Sequence, residues 1–217
     1  MDRRITLGLF IAGLLVALVA ASLERTPGYM DAEYYYAGAL RLISGQGATE
    51  PYVWNYLNDP AGLPAPSFAY WMPLSALVAA AGLAAARPFG FWAARLGFIL
   101  LAACVPVISA QIARRLTGND RHALLAGLLA LFPGFYLAYQ TTTDAFPLYM
   151  ALGGLFLLQA SEITTTAGKR ALVARMGVLG ALVGLLHLTR ADGLMWLAGT
   201  GLVALAASRQ SFTGSPR

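Results

Sequence analysis

The sequence predicts an all-α polytopic membrane protein of about six transmembrane helices, with interfacial helices in its first outward loop. Three observations carry this prediction. Only 12% of the 217 residues are charged, against roughly a quarter in an ordinary soluble domain, while 58% are hydrophobic. The apolar residues gather in long blocks able to cross a hydrocarbon core of about 30 Å. Nearly all ionised groups sit between those blocks.

The blocks cover residues 5–23, 68–86, 91–112, 122–140, 146–160, 172–188 and 193–207. The first follows Asp2-Arg3-Arg4 and precedes Glu24-Arg25-Thr26-Pro27. That is a poor small-residue cleavage site, so the block reads as an uncleaved anchor. If every block crossed, strict alternation from a cytoplasmic Arg3-Arg4 would put Arg114-Arg115 and Lys169-Arg170 outside, against the positive-inside rule. The conflict disappears if 68–86 does not cross. This block is alanine-rich, contains Pro73 and Gly82, and reads as an interfacial or re-entrant helix. Arg3-Arg4, Arg114-Arg115-Arg121, Lys169-Arg170-Arg175 and Arg209 then all lie inside, with both termini cytoplasmic. The chain divides into an anchor (1–23), an outward loop with interfacial helices (24–90), a five-span bundle (91–207) and a cytoplasmic tail (208–217).

Within the outward loop, apolar or aromatic residues at 32, 35, 36, 39, 40 and 43 recur at helical spacing, which predicts an amphipathic helix over 31–44 lying flat on the bilayer. Asp31 is placed to cap its start. Tyr34, Tyr35 and Tyr36 suit a membrane-water interface, and Trp54, Trp71, Trp92 and Trp196 read as belt anchors. The net charge of +5 comes from short basic clusters at block ends without a basic face or stripe, which excludes nucleic acid as a partner. The single cysteine, Cys104, lies inside a block, so no internal disulfide and no cysteine metal cluster can form.

This topology gathers three polar groups on the non-cytoplasmic side: Asp31 and Glu33, then Thr141-Thr142-Thr143-Asp144, then His187, Thr189, Arg190 and Asp192. Ionisable groups at such depths are costly and mark function by default. Each also has a plainer role. Asp31 and Asp144 can cap helices, and Arg190 and Asp192 can form an interfacial ion pair. Arg95 and Gln111, near opposite ends of one block, read as snorkelling residues. Hydrolase, phosphate-loop and zinc motifs are absent from the sequence. Paired carboxylates plus an arginine suit general-base activation of a hydroxyl, with a cation assisting a departing phosphate.

In layout the chain resembles the amino-terminal module of GT-C glycosyltransferases, which include protein O-mannosyltransferases and aminoarabinose transferases. The resemblance rests on several short motifs in order. Asp31-Ala32-Glu33-Tyr34-Tyr35 follows the first span, and Pro64-Ala65-Pro66-Ser67-Phe68-Ala69-Tyr70-Trp71 precedes a weak helix. Ile112-Ala113-Arg114-Arg115-Leu116-Thr117-Gly118, Asp144 and Leu188-Thr189-Arg190-Ala191-Asp192-Gly193 come later. It implies a catalytic role for Asp31, with Glu33 beside it, and for Asp144. Arg190 would meet the donor phosphate, and Asp31 with Asp144 would hold a divalent metal, Mg²⁺ or Mn²⁺. It further implies a polyprenyl-phosphate sugar donor, a bacterial plasma membrane location with the site facing outward, and a downstream membrane subunit, because members usually continue for several more spans. Aminoarabinose-type members carry a basic residue before the first-loop prolines, where this chain has Leu63-Pro64-Ala65-Pro66. Two other expectations stand beside the enzyme: an inactive membrane remnant or assembly partner of a larger transferase, and a small transporter.

Overall fold

The computed structural model describes residues 1–53, 62–163, 166 and 168–213, except for the side chains of 169 and 209–213. Trp54, the side chains of Lys169 and Arg209, and the last residues of the tail therefore lie outside the described residues. The chain is built of helices α1 (Arg3–Leu23), α2 (Met30–Ile43), α3 (Leu74–Ala86), α4 (Phe91–Ala94), α5 (Leu96–Thr117), α6 (Asp120–Ala130), α7 (Ala145–Ile163), α8 (Lys169–Thr189) and α9 (Trp196–Thr213). A two-stranded antiparallel ribbon pairs β1 (Thr49–Glu50) with β2 (Ala65–Pro66).

Five stretches are long and apolar enough to cross a membrane: Arg3–Leu23, Leu96–Thr117, Ala145–Ile163, Arg170–Thr189 and Ala191–Ser208. They point to an integral membrane protein. Their outer faces carry exposed large apolar side chains such as Leu7, Val19, Leu100, Val173 and Leu202, which lipid can solvate at no cost. Small residues bring the helices together. Ala17 and Ala21 of α1 pack on Ile99 and Ala102 of α5, and a Cβ on Gly13 would stand 2.9 Å from the Ala103 carbonyl oxygen.

The block at 122–140 is not one helix. α6 ends at Ala130, and a 3₁₀ segment covers Gly134–Tyr139. Pro133 lacks the amide needed to continue the helix, and Gly134 takes φ 61°. At the other end of the chain, α9 runs through Thr213, so the expected tail is helical over 208–213. Of the 68–86 block only Leu74–Ala86 is α-helical, continued by a 3₁₀ turn through Phe89, and it is not among the five long apolar stretches. α3 packs so closely on α4 that a Cβ on Gly82 would stand 2.1 Å from the Ala93 carbonyl oxygen.

Three residues of the basic clusters, Arg114, Arg115 and Arg175, share one end of the bundle. Glu162, near the end of α7, takes ion pairs from Arg115 of α5 and Arg175 of α8. Arg114 pairs with Asp120 at the start of α6. Leu9 of α1 packs there with Ala110 and Ala123. The ends of α1, α7 and α8 that carry Glu24, Asp144 and Arg190 lie at the opposite end.

Two expectations about α2 are corrected. Asp31 does not cap it: the cap position is Tyr29, without a side-chain bond, and Asp31 lies in the first helical turn. There its charge still suits the free amides of the helix start. Much of the apolar stripe of α2 is also covered by protein, with Leu40 left exposed. Ala32, Tyr35 and Ala39 are buried, Ala39 in a core with Ala79 and Leu83 of α3. Tyr34 is buried too, because its hydroxyl accepts the Phe68 amide at 2.8 Å. Trp196 likewise turns inward, packing on Phe156 and donating to the Tyr149 hydroxyl.

Candidate functional site

At the end opposite the basic clusters a cavity of about 610 Å³ is lined by Asp31 and Tyr35 of α2, the segment Ala69-Tyr70-Trp71-Met72, Asp144-Ala145, and Thr189-Arg190-Ala191-Asp192. Three of the four expected site residues, Asp31, Asp144 and Arg190, therefore meet at one cavity. Glu33 does not line it and is exposed. The helix explains the difference: positions i and i+4 share a face, while i+2 turns away, so Asp31 and Tyr35 look inward together and Glu33 outward. Of the remaining group, Thr189 lines the cavity and bonds back to the Leu185 carbonyl, whereas His187 is not part of the lining.

Each wall has a local cause. Three buried threonines bind the segment before α7 to the end of α1, the loop after it and the first turn of α2. Thr141 donates to the Glu24 carboxylate at 2.9 Å, Thr142 to the Pro27 carbonyl at 3.1 Å, and Thr143 to the Ala32 carbonyl at 2.8 Å. These bonds seat Asp144 beside the first turn of α2. The Arg190 turn is pressed onto α8, because a Cβ on Gly193 would stand 2.4 Å from the backbone of Leu186 and His187. The opposite wall starts at Phe68, a non-glycine residue at φ 64° that is held by its amide bond to Tyr34. Such a conformation persists only where its surroundings enforce it.

Asp144 does cap α7, but with one oxygen only. Its Oδ1 accepts the Ala145 amide, while Oδ2 is buried without a hydrogen-bond partner among the described residues. Burial pushes its pKa up to about 6, against the pull of the Ala145 and Phe146 amides and the Arg190 charge. Arg190 reaches Asp192 through Nε at 3.2 Å, and its guanidinium carbon lies 5.8 Å from the centre of the Tyr149 ring. The Arg190 charge is felt by both Asp144 and Tyr35, and that of Asp31 by Tyr35. Burial raises the Tyr35 phenol pKa, which keeps it a neutral donor.

Asp31, Asp144 and Asp192 thus share the cavity with one guanidinium, and a further cation or a proton suits this balance. Mg²⁺ is commonly held by one or two carboxylates, with water and phosphate oxygens completing its shell. Asp31 and Asp144 are two carboxylates on that lining. Among the described residues no group of three or more metal-ligating side chains forms a cage.

Sequence reasoning missed the neighbouring charge pair. Arg95 does not snorkel. It has no exposed surface, stands 3.4 Å from the Glu24 carboxylate, and lies over the rings of Phe91 and Trp92, 4.5 and 4.0 Å from their centres. Glu24 bridges it to Thr141, and burial raises the Glu24 pKa. The available signal was opposite charge on two block ends that topology places on one side. Tyr35 was legible as the residue four positions after Asp31.

Fold and site together define a helical membrane protein with a carboxylate- and arginine-lined cavity at one end. No protein-family model matches the chain, and no curated protein or solved structure matches it.

Proposed function

We propose that the chain is a glycosyltransferase of the GT-C type, or the amino-terminal module of one, that moves a sugar from a polyprenyl-phosphate donor to an acceptor on the non-cytoplasmic face. The observation that carries the reading is the meeting of Asp31, Asp144 and Arg190 at one cavity. In this reading Asp31 takes the proton of the acceptor hydroxyl as its oxygen attacks the anomeric carbon. The bond from that carbon to the phosphate oxygen breaks, and the released polyprenyl phosphate carries the electron pair. Arg190 holds that phosphate through its planar fork. Mg²⁺ or Mn²⁺ on Asp31 and Asp144 would neutralise charge on the same group.

The reading includes six crossings with both termini in the cytoplasm. The sixth is the broken segment after α5. The 11 residues of α6 rise about 16 Å, and the six of the 3₁₀ turn about 12 Å, together close to the hydrocarbon thickness of about 30 Å. Its ends support this count, since Asp120 pairs with Arg114 at the basic end and Thr141 bonds Glu24 at the other.

The test is transfer from radiolabelled polyprenyl-phosphate sugars in membranes containing the chain, alone and with any downstream membrane subunit. Asp31→Asn should lower transfer by about 10²-fold or more, the usual contribution of a general base. Arg190→Ala should weaken donor use. Transfer that is indifferent to both substitutions would sink the reading. A second reading, an assembly partner of a larger transferase, draws on the apolar flank of α8 and α9, where Val173, Val178, Leu197, Leu202 and Leu205 are exposed.

A further inference from the structure

A second cavity lies on the flank of the bundle, apart from the carboxylate site. Where α6 stops and the chain continues as the narrower 3₁₀ segment, the upper half of α1 is left partly uncovered. The gap has a volume of about 630 Å³ and is walled by Leu15, Val19 and Leu23 on one side and Phe132, Phe135 and Leu137 on the other. It runs along α1 from Leu15 to Leu23, about 12 Å at the helical rise, which is roughly the depth of one leaflet. A polar mouth of about 440 Å³ continues from it, sharing Leu23, Glu24 and Ala138 and adding Arg25, Thr26 and Tyr29.

We infer that this groove binds one acyl chain of an anionic glycerophospholipid, with the lipid phosphate on Arg25. The charge at the mouth favours an anion. Glu24 turns its carboxylate to Arg95 and Thr141, while Arg25 is exposed and makes no ion pair among the described residues. Arginine's fork fits phosphate oxygens. The depth of the groove fits an acyl chain confined to one leaflet, whereas a polyprenyl chain runs far longer. None of its lining residues lines the carboxylate cavity, so the inference is independent of the proposed transfer reaction. The bound lipid would fill the space between α1 and the 3₁₀ segment, the two elements that Glu24 and Thr141 join above it.

The protein is reconstituted into nanodiscs of phosphatidylcholine containing a minor fraction of phosphatidylglycerol, and native mass spectrometry counts the lipids that survive release. One phosphatidylglycerol per chain is expected, enriched over its share of the bilayer. Ala138→Trp, which fills the groove, should abolish retention. Arg25→Gln, a change at an exposed position, should keep the fold and lower the preference for phosphatidylglycerol over phosphatidylcholine by roughly tenfold, the value of one charge-assisted hydrogen bond. Retention unchanged in both variants, or an unchanged headgroup preference in Arg25→Gln, would overturn the inference. Displacement of the lipid by polyprenyl phosphate at equal mole fraction would also overturn it, by assigning the groove to the other lipid.

Discussion

The Arg95 guanidinium, wholly buried, stands 3.4 Å from the Glu24 carboxylate, and the same carboxylate accepts from Thr141. This pair ties the end of α1 to the start of α5 and, through the threonines, to Asp144. Removing one partner leaves a buried charge uncompensated, which typically costs about 3–5 kcal/mol. Glu24 keeps 20% of its side chain exposed, so the lower part of that range applies. Glu24→Ala should therefore lower the melting temperature in detergent clearly, and Arg95→Met with Glu24→Leu should recover much of the loss. Additive losses in the double variant would show that the two residues are not coupled.

The three threonine hydroxyls make a graded prediction. Thr142→Val and Thr143→Val each remove a buried hydroxyl donor, from the Pro27 carbonyl in the loop and from the Ala32 carbonyl in α2, at about 1 kcal/mol apiece. Ser at either position keeps the hydroxyl and should restore most of the stability. Denaturant titration of the four variants checks this. A Ser variant no better than its Val counterpart would mean that packing, not the hydrogen bond, holds the segment.

Asp144 sets a pH dependence. Its folded pKa of about 6 lies above the ordinary 3.8, so between those values the folded chain binds more protons than the unfolded one. The contribution of Asp144 is accordingly most favourable below pH 3.8. It is lost as pH rises toward 6, and is constant above that. Asp144→Asn should flatten this part of the stability profile. A slope between pH 4 and 6 that is the same in both proteins would assign it to other groups.

Topology can be read directly with reporter fusions. Fusions after Ser44 and after Gly90 should both report the non-cytoplasmic side, and those after Gly118 and Gly168 the cytoplasm. A cytoplasmic signal after Gly90 combined with an outward one after Ser44 would make α3 a crossing helix and remove the six-span arrangement.

Much of this was legible in the linear pattern. The apolar blocks around 5–23, 91–112, 146–160, 172–188 and 193–207 reappear in the five long apolar stretches, because length and hydropathy alone decide whether a helix suits lipid. Arg114, Arg115 and Arg175 meet at one end, as their distribution predicted. The break at Pro133 was present in the sequence but hidden inside a uniformly apolar block. The fate of Arg95 was legible only as opposite charge at the ends of two blocks. An arginine at a block end can reach the interface or be buried, and only the positions of Glu24, Phe91 and Trp92 in space decide between them.

By itself, the sequence determined that the chain is helical, apolar enough for a bilayer, and asymmetric in charge, since these follow from composition and period. It also placed Asp31, Asp144 and Arg190 at the same end. The tertiary structure decided that Asp31 faces the cavity with Tyr35 while Glu33 turns away, that Asp144 keeps one carboxylate oxygen without a partner among the described residues, and that Glu24 belongs to Arg95 and Thr141. These outcomes depend on contacts between residues far apart in the chain. Helix rotation and loop docking are fixed by such packing, which local periodicity does not encode.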